Sequence, residues 1–254
     1  MTVVKLGGSV ITEKGRPETV DEERLAAVAE AVAGAETGTE GESGARLEGL
    51  VLVHGGGSFG HHHASAHDVS TTQGTYDAAA IRAIHGAMKR LNDAVLDALS
   101  EREVPAVPVH PLSAGHRDRG GELSLPVPVV GTMLSEGFVP VLHGDVLAHA
   151  GRGATIVSGD ELVVALAAGL GAERVGLCST VPGVLDDAGE VIPSIRSYDE
   201  AEDVLGGSAS TDVTGGMAAK VRTLLELEAP ASIFGPADLD GFLAGDRPGT
   251  RIER

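Results

Sequence analysis

Three glycine-rich turns are the parts of this sequence whose residue types and spacing could do chemistry. In Lys5-Leu6-Gly7-Gly8-Ser9 an apolar run ends in two glycines. Without a Cβ their amides can approach an anion closely, and the lysine beside them supplies charge. In His54-Gly55-Gly56-Gly57-Ser58-Phe59-Gly60-His61 the glycines are too dense for an ordinary turn, because each adds conformational entropy that folding must remove. That density calls for a ligand. Gly55, Gly57 and Gly60 match G-x-G-x-x-G, and Gly55 to Gly60 match the opening of a P-loop except that His61 stands where the loop needs Lys. The His-rich stretch after Gly60 reads as a poor start for the tightly packed helix of a dinucleotide-binding unit. In Asp212-Val213-Thr214-Gly215-Gly216-Met217-Ala218-Ala219-Lys220 glycines open a helix and a lysine follows near its positive end, which favours an anion. Taken singly, each motif also reads as a turn or a cap with a solvated lysine. Asp160, in Ser158-Gly159-Asp160, likewise reads as a helix N-cap.

Strands and helices alternate around these turns. Val3 to Leu6 reads as a strand, and a helix follows over 21–33, with acids at its start and Leu25, Val28, Ala29 and Val32 on one face. The stretch 36–44, rich in Gly, Thr, Glu and Ser, reads as a surface loop. Strands are expected at 50–53, 106–109, 139–142, 174–178, 232–234 and 250–252. Helices are expected at 77–99, 161–170, 198–205 and 216–228. The segment 122–130 reads as a sheet edge, because Pro126 and Pro128 cannot donate ladder hydrogen bonds. This alternation predicts an α/β fold, an open αβα sandwich around a mainly parallel sheet. A single domain is expected, with two lobes dividing near residue 155.

Composition narrows the class further. The 254 residues carry 37 acids against 19 Lys and Arg, a formal charge of −18, which excludes an electrostatic nucleic-acid binder. Hydrophobic residues make up 42% of the chain and aromatics only 2%, so the core must be built from small aliphatic side chains, as buried parallel strands under Ala-rich helices are. One cysteine, Cys178, leaves no intrachain disulfide and fits a reducing compartment; ending an apolar strand, it reads as a small buried hydrophobe. No apolar run is long enough to span a membrane, and a cytoplasmic location is expected. The acid excess resembles a surface adapted to high salt, or one serving solubility. His61, His62, His63 and His67 could suggest metal ligands, but no Cys accompanies them, and surface or phosphate-contacting roles suit them better.

Taken together, the motifs are far more specific. Their order resembles that of the amino acid kinase superfamily. Within it, the pairing of the glycine cluster ending in His61 with His143-Gly144-Asp145 and the Asp212 to Met217 turn is similar to the isopentenyl phosphate kinases of archaeal type, from Lys5 to Ile252. The resemblance implies ATP with Mg²⁺, transfer of the γ-phosphoryl group to isopentenyl phosphate, and a homodimer. It implies that Lys5 and Lys220 approach the ATP phosphates, that Lys14 stabilises the transition state, and that Gly8 and Gly57 line the transferred group. Leu6, Gly7, Ser9, Ser179, Gly183 and Gly216 fall among the implied nucleotide contacts. Gly56, Gly60, His61, Gly159 and Asp160 fall among the substrate contacts. Asp160 would also hold the lysines, with Asp145 a second candidate for that task or for a magnesium-bound water. The start of the helix at 78–99 could wall a pocket for a five-carbon tail. Where many members carry Thr-Asp-Val-Asp-Gly, this chain has Ser179-Thr180-Val181-Pro182-Gly183, so two acids are missing while the turn survives.

The chemistry agrees with those residue types. Transfer between two phosphates spreads negative charge over equatorial oxygens, so positioning and electrostatic stabilisation are what catalysis requires. A phosphate acceptor is already deprotonated near neutral pH, and a His donating a hydrogen bond then suffices. Two alternatives stay open. One is a kinase of the same superfamily acting on another small phosphate, a phosphonate, a carboxylate or a nucleoside monophosphate; the other is a non-catalytic nucleotide-binding sensor or storage protein.

Overall fold

A computed structural model describes residues 1–35, 49–201 and 216–253. The expected loop at 36–44, the Asp212 to Gly215 half of the third turn and residues 202–205 of the expected helix at 198–205 lie outside them. The strands are β1 (Thr2–Leu6), β2 (Leu50–His54), β3 (Ala106–Pro108), β4 (His116–Arg117), β5 (Leu123–Ser124), β6 (Val139–His143), β7 (Asp145–His149), β8 (Gly153–Val157), β9 (Arg174–Cys178), β10 (Ser194–Ile195), β11 (Ala231–Phe234) and β12 (Thr250–Ile252). The helices are α1 (Gly8–Ile11), α2 (Glu22–Gly34), α3 (Gly57–Ala66), α4 (Ala78–Ser100), α5 (Pro111–Ala114), α6 (Val127–Ser135), α7 (Gly159–Leu170), α8 (Gly216–Leu224) and α9 (Leu239–Ala244).

Among the described residues an eight-stranded sheet runs β10-β12-β11-β9-β1-β2-β6-β3, parallel throughout except where β11 meets β12. A four-stranded sheet, β5-β4-β7-β8, stands beside it. The chain is therefore an α/β protein with helices on both faces of a mainly parallel sheet. The central strand β2 is buried along its whole length, which is why it reads as a continuous apolar run.

Side chains alternate between the faces of a strand, and this alternation sets up the site. Val4, Leu6, Leu50 and Leu52 pack under α2 and α4. Val3, Val51 and Val53 face Leu162, Val163 and Leu166 of α7, together with Val221 and Leu224 of α8. Lys5 shares the parity of Val3, so it leaves β1 on the α7 side. The helices are fixed by ordinary local means. Asp21 caps α2 by accepting from Arg24 N–H at 3.1 Å, and Leu25, Val28, Ala29 and Val32 go inward. Each large aliphatic side chain buried in this way contributes about 1.5–3 kcal/mol. Asp77 caps α4, accepting from Ala79 N–H at 2.8 Å.

Three expectations are corrected. The segment 122–130 is a two-residue strand followed by α6, because Pro126 at the N-cap and Pro128 in the first turn stand where a helix needs no N–H donors. The His-rich stretch after Gly60 does form a helix, α3, which buries Phe59, Gly60 and Ala64 while His62 stays exposed. The helix expected to reach residue 228 ends at Leu224.

Candidate active site

The C-terminal ends of β1, β2 and β6 open into one cavity, and the glycine turns form its floor. Gly7 N–H donates to the Cys178 carbonyl at 2.8 Å and Gly55 N–H to the Leu6 carbonyl at 2.9 Å, so the first two turns are tied to neighbouring strands. They are also packed backbone against backbone. A Cβ on Gly8 would sit 2.1 Å from Gly57 N, and one on Gly57 would sit 2.2 Å from Thr12 Oγ1. Gly57 moreover has φ +48°, a conformation L side chains rarely adopt. Thr12 locks the pair, since its hydroxyl donates to the Gly8 carbonyl at 2.8 Å and accepts from Ser58 N–H at 3.1 Å.

Lys5 is 8% exposed and its Nζ lies 2.6 Å from Asp160 Oδ1. Removing one partner from a buried pair of this kind costs about 3–5 kcal/mol, so the pair holds the ammonium group where it stands. The N-cap role expected for Asp160 belongs instead to Ser158, whose hydroxyl accepts from Glu161 N–H at 3.2 Å while the Glu161 carboxylate accepts from Ser158 N–H at 2.9 Å. With the helix end satisfied by this capping box, the Asp160 carboxylate is left to turn toward the lysine. Asp145, the other candidate for holding a lysine, is engaged elsewhere. Its Oδ2 lies 2.8 Å from His85 Nδ1 and its Oδ1 accepts from Val146 N–H at 2.8 Å.

Lys14 lines the same cavity from an exposed loop closed by the bridge between Thr12 and Val20. The loop is tethered by Glu18, whose carboxylate lies 2.6 Å from His63 Nε2 on α3 and 2.6 Å from Arg90 Nη2 on α4. These two partners hold the Glu18 carboxyl below its ordinary range, the His63 hydrogen bond most of all. Lys220 reaches the cavity from α8, the helix that Gly216 opens.

Of the residues singled out in the sequence, Lys5, Gly7, Gly8, Ser9, Lys14, Gly56, Gly57, Gly60, His61, Gly159, Asp160, Ser179 and Lys220 all line this cavity. Leu6 does not, being turned into the core under α2. Gly183 packs against Thr250 and Val191. Ile84 and Met88 of α4 and Val69 supply an apolar wall beside the polar floor. Cys178 is buried, and burial pushes its thiol up to about 12, which leaves it no role as a nucleophile.

Sequence reasoning missed what lies beneath the floor. His54 and His143 stand opposite each other in the register of β2 and β6, with rings stacked 5.5 Å apart. The Nε2 of His143 meets His110 Nδ1 at 2.9 Å, and that of His54 meets the Asn92 amide at 3.1 Å. Burial lowers the pKa of both, that of His143 furthest, with the neighbouring His54 adding to it. The readable signal was a repeated His-Gly dipeptide at two strand ends; the partners on α4 and near α5 were beyond reach. Glu18 gave no signal at all.

A parallel sheet whose strand ends carry glycine turns, with lysines from a strand, a loop and a helix converging on them, defines a class that handles phosphate. The chain belongs to the amino acid kinase family, whose model matches residues 1–230. An isopentenyl phosphate kinase of Haloferax volcanii is 66% identical over 99% of this chain and 98% of its own length. One of Methanothermobacter thermautotrophicus is 34% identical over 99% and 98%. The relevant branch of the family is thus that of the isopentenyl phosphate kinases. A solved isopentenyl phosphate kinase superposes with a TM-score of 0.82 at 28% identity, covering 99% of both chains. A product complex of the T. acidophilum enzyme, 21% identical with a TM-score of 0.76 over 100% of both chains, shares the fold.

Proposed function

We propose that this protein transfers the γ-phosphoryl group of ATP to isopentenyl phosphate, giving isopentenyl diphosphate. The observation that carries the reading is the buried Lys5–Asp160 pair above two interlocked glycine turns, in a cavity that Lys14, Lys220 and His61 also line. Such a site offers fixed cations and space for backbone amides to meet phosphate, which is what a charge-dispersed phosphoryl transfer needs. Lys5 and Lys220 bear on the nucleotide phosphates, and Lys14, on its loop, meets the charge that develops during transfer. His61 donates to the acceptor phosphate, with Gly56, Gly60 and Gly159 leaving room for it. Val69, Ile84 and Met88 suit a short hydrocarbon tail. A carboxylate or nucleotide acceptor would give no reason for His61 or for that wall.

The residues fit Mg²⁺ brought in on the nucleotide. Among the described residues no group of three His, Cys, Asp or Glu side chains could hold a metal alone, and magnesium commonly keeps phosphate and water ligands. Two acids line the cavity, Asp145 and Asp160, and each keeps acceptor capacity through which it would meet the ion's waters. When bound, the ion neutralises phosphate charge.

We read the chain as one domain, residues up to about 155 serving the acceptor and the remainder the nucleotide, acting as a cytoplasmic homodimer. The charge of −18 is read as a surface adapted to salt. Among the described residues no helix is long and apolar enough to cross a membrane. The test is to incubate purified protein with Mg-ATP and isopentenyl phosphate and follow the diphosphate and ADP. Conversion is expected, and none in either low or multimolar salt overturns the reading.

A further inference from the structure

Gly55, Gly56 and Gly57 are three successive residues without a Cβ, so sterics do little to choose which way the peptide between Gly55 and Gly56 faces. In a trans peptide the carbonyl and the following N–H point in opposite directions, and no cis bond occurs among the described residues. If the Gly55 carbonyl faced the cavity it would set a partial negative charge against any phosphate there. Its position is instead fixed from below, where His54 Nδ1 lies 3.1 Å from the Gly55 carbonyl oxygen. The opposite side of that peptide, at Gly56 N, lies toward Gly144. A Cβ built on Gly144 would lie 3.4 Å from the Val157 carbonyl oxygen, 3.5 Å from Gly159 N and 3.8 Å from Gly56 N, so two backbone nitrogens and one carbonyl surround that point beside the cavity.

The ring of His54 suits this arrangement. A carbonyl oxygen cannot donate, so Nδ1 carries the proton, and Nε2 of the neutral ring must accept. The group facing Nε2 is the fully buried amide of Asn92, placed with Oδ1 at 3.1 Å and Nδ2 without a partner; turning the amide over lets Nδ2 donate to that nitrogen and satisfies it. The neighbouring strand repeats the device. His143 Nδ1 lies 3.0 Å from the Gly144 carbonyl, His143 Nε2 takes the proton of His110 Nδ1, and Gly144 N–H donates to the His54 carbonyl at 2.9 Å.

We propose that His54 is a positioning residue for the acceptor phosphate: its Nδ1–H clamps the Gly55 carbonyl beneath the floor and so keeps the Gly56 amide turned into the cavity, with Asn92 fixing the tautomer. The proposal rests on the kinase reading for the identity of the acceptor. It separates His54 from His61, because His61 lines the cavity and His54 is buried behind it.

Two variants differ in the atom they preserve. The amide nitrogen of Asn can occupy the place of a histidine Nδ1, whereas that of Gln occupies the place of Nε2. With the full chain and Mg-ATP, His54→Gln is expected to raise KM for isopentenyl phosphate roughly tenfold, the worth of one buried hydrogen bond, with KM for ATP unchanged. His54→Asn is expected to restore the lower value. Equal acceptor KM in the two variants, or a parallel rise in KM for ATP, overturns the proposal. Should His54→Gln not fold, Asn92→Leu asks the same of the other ring nitrogen; a several-fold rise in acceptor KM supports the clamp and an unchanged value overturns it. Failure of the wild type to phosphorylate isopentenyl phosphate counts against the kinase reading alone. The clamp is then read by calorimetric binding of inorganic phosphate, which must be weaker to the Gln than to the Asn variant, equal binding overturning it.

Discussion

Lys5 and Lys14 line the same cavity and are held in opposite ways. Lys5 stands on a central strand, is 8% exposed, and is fixed by a carboxylate at 2.6 Å. Lys14 stands on an exposed loop that is tied down several positions further on, by the Glu18 carboxylate on His63 and Arg90 and by the backbone of Glu18 and Thr19 on Ser58. A buried pair keeps its geometry whether or not a ligand is present. A charge on a tethered loop can follow a group that moves. The difference is what the proposed function uses: there Lys5 would meet a charge already present in the bound nucleotide and Lys14 one that appears in transit.

The comparison breaks most completely at the floor both lysines overlook. Gly8→Ala must force its new carbon into Gly57 and is expected to abolish activity to the limit of a coupled ADP-release assay, while the far-UV spectrum of the α/β fold persists. Lys5→Met should lower kcat/KM by roughly 10³ and weaken ATP binding. Lys14→Met should lower kcat by about 10² with KM for ATP little changed, in the range found for single electrostatic groups. Equal effects on kcat and on ATP affinity in the two lysine variants would erase the distinction. Glu18→Gln should act through Lys14 alone, lowering kcat about fivefold, and adding it to Lys14→Met should cost nothing further.

The smallest effect concerns the histidines beneath the floor. Because burial lowers the folded-state pKa of His54 and His143 below the ordinary 6.5, the unfolded chain binds the extra protons between the two values, and stability falls as pH drops below about 6.5. Each such group contributes up to about 1.4 kcal/mol per pH unit within that window. His143→Asn lacks one of them, so the Tm gap between wild type and variant should narrow from pH 7.5 to pH 5. A widening gap would mean that the ring is charged when folded.

How much was legible follows from how local each feature is. The runs at β1, β2, β6 and β9 were readable because strands buried on both faces must be apolar throughout. Glycine turns at their ends were readable because that many glycines in a row need a reason. Asp160 was visible as an acid at a helix start, yet its task was not, since the capping box that frees it depends on the Ser158 and Glu161 side chains choosing each other. His85 against Asp145, Asn92 against His54 and Glu18 against Arg90 join residues dozens of positions apart, and no spacing rule reaches that far. Pro126 and Pro128 misled because a proline excludes a ladder bond and suits a helix start equally well.

Cys178 offers a use of a different kind. It is the only sulfhydryl in the sequence, it is sealed behind the first glycine turn, and its proton is held up to about 12. To a maleimide or an iodoacetamide at neutral pH the native protein is therefore nearly blank. Gly15, next to Lys14, has open space where a side chain would go. A thiol placed there would take a fluorophore alone, so whether the Lys14 loop moves during turnover can be tested without first stripping the protein of anything.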